Sequence, residues 1–104
     1  MKLVWTDTAK EDMELIYQFH SAFNDAFAVR LYNKIIDETT ILKSYPLIAP
    51  VEFILQPENE SIRALTVASG RFKVLYALHN QTVSITGIWD CRRNPEILKK
   101  RYDY

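Results

Sequence analysis

Hydrophobic positions change their period twice along this chain. Between 62 and 89 they fall into three short runs rich in β-branched and aromatic residues, at 62–68, 72–78 and 82–89. In the second run Phe72, Val74 and Tyr76 alternate with Lys73, Leu75 and Ala77, a period of two that gives a strand two distinct faces. Ser69-Gly70 separates the first two runs and His79-Asn80-Gln81 the next two. Such short connections predict an antiparallel meander, because parallel strands need crossovers of about a dozen residues or more.

Upstream the period lengthens. Lys2–Trp5 reads as a short strand, and from Ala9 the apolar residues recur at helical spacing: Ala9, Met13, Ile16, Tyr17 and His20, broadened by Phe19 and Phe23. Thr8 followed by Glu11 has the spacing of a capping box for this first helix. Asn24-Asp25 interrupts the pattern and predicts the cap of a second helix over 26–44. Its stripe is Ala28, Leu31, Ile35, Thr39 and Leu42, ending before Pro46 because proline lacks the donor a continuing helix needs. A two- or three-residue turn between the helices predicts an antiparallel hairpin. Residues 45–60 read as a connection, with a short strand over 51–55, and 95–101 as a terminal helix with a basic last turn.

These elements predict an α+β fold in one domain over 1–104: a twisted antiparallel sheet packed against an N-terminal helical hairpin, with a short C-terminal helix. The sheet comprises an N-terminal edge strand and the three-stranded meander. A composition 48% hydrophobic and 12% aromatic excludes the disordered class. No apolar run approaches the ~20 residues of a membrane span, so no membrane partner is expected. The N-terminus turns polar at Thr6-Asp7, too soon for a signal peptide. Cys91 is the only cysteine, which fits a reducing cytoplasm and offers neither a disulfide nor a metal cluster. No cofactor motif is present.

Charge adds what hydropathy does not show. The net charge is zero, but residues 1–60 carry ten acidic side chains against five basic, and residues 61–104 eight basic against three acidic. The polarisation predicts either an acidic or nucleic-acid partner near the sheet or mutual neutralisation of the two halves in the fold. The candidate target- or partner-binding cations are Arg63, Arg71, Lys73, Arg92 and Arg93.

The order and spacing of Trp5-Thr-Asp-Thr-Ala9, Asp12 and Ile16, Leu31 and Ile35, Arg63-Ala-Leu65, Phe72-Lys-Val-Leu-Tyr76 and Ile88-Trp-Asp-Cys-Arg-Arg-Asn-Pro95 resemble the RelE/ParE superfamily of bacterial toxins. The resemblance spans about 3–99 of the chain. It implies the toxin of a type II toxin–antitoxin module, involved in growth inhibition and plasmid stabilisation. A cognate antitoxin would neutralise it in a hetero-oligomer.

Two targets are open under that resemblance. ParE-like members act on DNA gyrase, whereas RelE-like members cut messenger RNA on the ribosome. The RNA reaction needs a base for the 2′-hydroxyl, cations for the phosphorane and an acid for the leaving oxygen. On the RelE pattern Arg63, Lys73, Arg92 and Arg93 would supply the cations. Leu65 stands at the second lysine position, Asp90 where many relatives carry His, and Leu98 and Lys99 where a Tyr or His is needed. The set is incomplete, which favours the ParE-like reading. The RNase, and a toxin without activity, remain alternatives.

Overall fold

The computed structural model describes residues 1–52 and 61–101. In chain order these form β1 (Lys2–Trp5), α1 (Asp7–Ser21), α2 (Asp25–Thr39), β2 (Ile62–Val67), β3 (Phe72–His79), β4 (Thr82–Asp90) and α3 (Pro95–Arg101). A single 3-10 turn over Thr40–Lys43 follows α2. The sheet order is β1-β4-β3-β2. The expected meander is present, with Val67 opposite Phe72 and His79 opposite Thr82 across its two hairpins.

The edge strand adds a feature the periodicity does not carry. β1 pairs with β4 in parallel, Lys2 opposite Thr82 and Trp5 opposite Ile85, so the sheet is mixed rather than antiparallel throughout. Of the short strand expected over 51–55, the described residues show an antiparallel bridge between Val51 and Arg63; residues 53–55 lie outside the described residues.

Both helix starts are set by side-chain caps. The cap of α1 is Thr6, not Thr8: its hydroxyl oxygen accepts the Ala9 N–H at 3.2 Å while the hydroxyl and its own N–H donate to the Ile85 carbonyl. Tying the cap to β4 starts the helix directly after the strand, which leaves Thr8 inside the first turn. Asn24 caps α2 as expected, its side-chain oxygen accepting the Phe27 N–H at 3.0 Å. That helix ends earlier than expected. The Thr39 and Thr40 hydroxyls donate back to the Ile35 and Asp37 carbonyls, and the chain tightens into the 3-10 turn.

Strand alternation divides the core in two. The hairpin covers one face, where Ala9, Met13, Leu31 and Ile35 meet Phe72, Val74, Tyr76, Val83 and Ile85. The smaller cluster on the other face comprises Ile62, Ala64, Leu75 and Trp89, covered by Leu98 of α3. The terminal helix therefore acts as the second lid of the sheet. Its Arg101 reaches Asp12 of α1 at 2.8 Å, and the same Asp12 carboxylate accepts the backbone N–H of Ile88 at 2.9 Å. β1 ends opposite Ile85, so this carboxylate satisfies β4 where its edge runs on without a neighbour strand among the described residues. Among the described residues no helix is long and apolar enough to cross a membrane.

Candidate functional site

The five candidate cations do not converge. Arg63 and Tyr76 are directly opposite on β2 and β3, on the hairpin-covered face, and the Arg63 guanidinium donates to the Ala49 carbonyl at 2.7 Å. Lys73 lies three residues before Tyr76 on an unbulged strand, hence on the opposite face, facing Thr66 and Trp89. Its ammonium pairs with the Glu52 carboxylate at 2.7 Å. Two cations expected to crowd one phosphorane are thus separated by the thickness of the sheet, and each is engaged inside the protein. Leu65 packs against the hairpin-side core. Tyr102 and Tyr104, the tail residues that could supply a proton, lie outside the described residues.

Arg92 and Arg93 follow β4, where the chain turns toward α3. The Asp90 carboxylate accepts the Arg92 backbone N–H and both an Nε and an Nη2 hydrogen of its side chain, at 2.9–3.2 Å. Burial raises the Asp90 pKa, but these bonds outweigh it and leave the carboxyl below its ordinary range; the same pair raises that of Arg92. The Arg93 guanidinium lies 4.9 Å over the Trp89 ring.

Both arginines rim a groove of about 310 Å³ between α1 and the end of β4, floored by Ile16, Phe72 and Ile88. Leu15 and Phe19 stand along it 63% and 60% exposed, and Phe23 beyond them is 80% exposed. Scattered apolar residues on a surface are ordinary, but a stripe of large ones on one helix beside a basic rim is the composition of a docking surface.

Arg71 lies at the other end of this band. It follows a turn in which Ala68, Ser69 and Gly70 take φ of 54°, 56° and 87°, three successive left-handed residues. Only Gly70 adopts that conformation without a Cβ penalty. The Glu38 carboxylate holds the turn by accepting the Ala68 N–H at 2.9 Å. The Arg71 guanidinium sits 5.6 Å from the Phe27 ring centre and 6.0 Å from that of Phe72.

His20 packs edge-on to Phe19 and Phe27, between the two basic ends. Desolvation, then the Arg71 and Arg92 charges, lower its pKa below 6.5, against a smaller opposing effect of Asp90. The pattern of residues identified His20 as a packed helical residue. Phe19 and Phe23, expected to broaden the apolar face of α1, instead stand 60% and 80% exposed. Leu15, four residues before Phe19 and 63% exposed, was missed, and the i, i+4 spacing of the pair off the stripe of Ala9, Met13 and Ile16 is the signal that marks it. Among the described residues no group of three His, Cys, Asp or Glu side chains is placed to hold a metal ion.

No family model matches the sequence, and no curated protein matches it. A likeness is found among solved structures. A chain of the chromosomal ParDE TA system from P. aeruginosa superimposes with a TM-score of 0.75 at 19% identity, over 86% of this chain and 95% of that one. At that identity the likeness is one of fold.

Proposed function

We propose that this protein is the toxin of a type II toxin–antitoxin module, of the ParE-like kind, which inhibits DNA gyrase and is silenced by a cognate antitoxin. The fold likeness to a ParDE chain over nearly all of both chains supports the module. The observation that carries the choice of branch is the placement of Arg63 and Lys73 on opposite faces of the sheet, each bonded internally. An RNase of the RelE type needs its cations around one phosphate, so this separation counts against the alternative reading.

The groove between α1 and the end of β4 is the proposed seat of the antitoxin. Its exposed Leu15 and Phe19 would anchor an apolar stripe, and Arg92 and Arg93 would meet acidic side chains. Of the five cations singled out from the sequence, Arg92 and Arg93 line this groove and take that role, whereas Arg71 lies outside it. Arg63 and Lys73 hold the 49–52 segment onto the sheet instead.

Two measurements test the reading together. Purified protein is expected to inhibit supercoiling by gyrase, and transcripts are expected to stay intact by primer extension after brief induction in a bacterial host. New 5′ ends at codon-related positions would move the assignment to the RNase branch. Unaffected supercoiling by a folded protein, with normal growth, would leave a toxin fold without the activity.

A further inference from the structure

We infer that Arg30, Lys34 and Arg71 form a binding site for a phosphate-bearing ligand, a nucleotide or the backbone of a nucleic acid. The three line one open cavity of about 340 Å³ between α2 and the β2–β3 turn, above Leu31 and beside Phe27 and Ser69. That volume lies at the lower end of ordinary ligand sites, roughly 300–1,000 Å³.

The cluster differs from the cations that carry an ion pair in the fold. Lys73, Arg92 and Arg101 each have a carboxylate within 3.1 Å. Among the described residues Arg30, Lys34 and Arg71 have none, and no acidic side chain lines their cavity. Three like charges brought to one cavity repel each other until an anion enters. A carboxylate neutralises one of them. A phosphate offers more charge and several acceptor oxygens, and arginine forks bind it through paired N–H groups.

Arg71 is also held in place beforehand. Its guanidinium rests against Phe27 and Phe72, its N–H donates to the Ala68 carbonyl, and its own carbonyl accepts the Cys91 N–H. The left-handed Ala68 and Ser69 precede it, and strained backbone of this kind persists where the surroundings enforce it and clusters at ligand clamps. Fixing the cation in advance removes an ordering cost from binding. The site is independent of the toxin reading above.

The test measures binding of two probes, ATP and a fluorescent random-sequence DNA duplex, to the full chain and to an R30Q/K34Q/R71Q variant. Saturable binding of either probe, weakened at least about tenfold in the variant, is expected. Binding of ATP alone would identify a nucleotide site. Duplex binding whose salt dependence drops by about three counterions in the variant would identify a backbone site. Absence of saturable binding, equal binding by the variant, or equally tight binding of a poly-glutamate peptide would overturn the proposal. If the variant does not fold, amide shifts in the unaltered protein decide the matter. Perturbation around 30, 34 and 71 supports the site, and perturbation elsewhere overturns it.

Discussion

Asp12 joins three elements through one carboxylate. Oδ2 accepts both the Ile88 N–H of β4 and an Nη1 hydrogen of Arg101, and Oδ1 receives the second Arg101 nitrogen at 3.3 Å. The side chain is 10% exposed, so little water is available to replace these partners. Asp12→Ala is expected to lower stability by about 3 kcal/mol, because it leaves a buried N–H unpaired and a guanidinium without its anion. Arg101→Ala should cost less, about 1–2 kcal/mol, since Arg101 is 30% exposed and Ile88 keeps its acceptor. Urea unfolding of both variants and the double variant measures the coupling.

Arg63 and Lys73 give a second prediction, in which stability and toxicity part company. As an exposed cation Arg63 would contribute little to folding. Its half-buried bond to the Ala49 carbonyl changes that, and Arg63→Ala is expected to cost about 1–2 kcal/mol. Growth inhibition should nevertheless survive Arg63→Ala and Lys73→Ala, provided that soluble protein is matched. Loss of toxicity in both, with fold retained, would restore the RNase reading.

The groove on α1 is tested at its exposed stripe. Phe19→Asp places a charge where the proposed antitoxin would bury an apolar contact, and Arg93→Glu reverses the rim. Each is expected to weaken neutralisation on co-expression with the antitoxin. Stability should change by no more than about 0.5–1 kcal/mol, because both side chains are largely exposed.

His20 makes stability depend on pH. Its pKa in the folded protein lies below the ordinary 6.5, so the unfolded chain binds the proton more readily. The contribution is full above about pH 7 and is lost as pH falls through the folded-state value. His20→Gln should flatten this part of the profile in denaturant titrations between about pH 7 and 5.

The β2–β3 turn should respond to glycine. Ala68 holds φ of 54° at a cost of roughly 1–2 kcal/mol, and glycine adopts that conformation freely. Ala68→Gly loses one buried methyl and is expected to raise stability by about 0.5–1 kcal/mol, seen as a higher midpoint in thermal unfolding.

What the sequence disclosed follows the range of each interaction. Alternation in 72–78 and the stripe Ala28, Leu31, Ile35 and Thr39 are local signals, and the strands and helices they predict are present. The parallel pairing of β1 depends on residues about 80 positions away, and no local period encodes it. Thr6 displaced Thr8 as the cap for the same reason, because the competing partner is the Ile85 carbonyl. Charge polarisation was legible, and Asp12–Arg101 and Glu52–Lys73 show first-half carboxylates meeting second-half cations. The candidate site suffered most. A basic residue on a strand declares its face only once the register is known, and Arg63 and Lys73 fall on different ones.

The parallel β1–β4 pairing also sets an order of events during synthesis. The first strand made has no neighbour in the sheet until residues 82–85 exist, so it cannot be placed while most of the chain is still being added. The helical hairpin and the β2–β3 hairpin close over short loops and form early, whereas sheet completion is a long-range step. A nascent chain therefore lacks its finished sheet until residues 82–85 have been added.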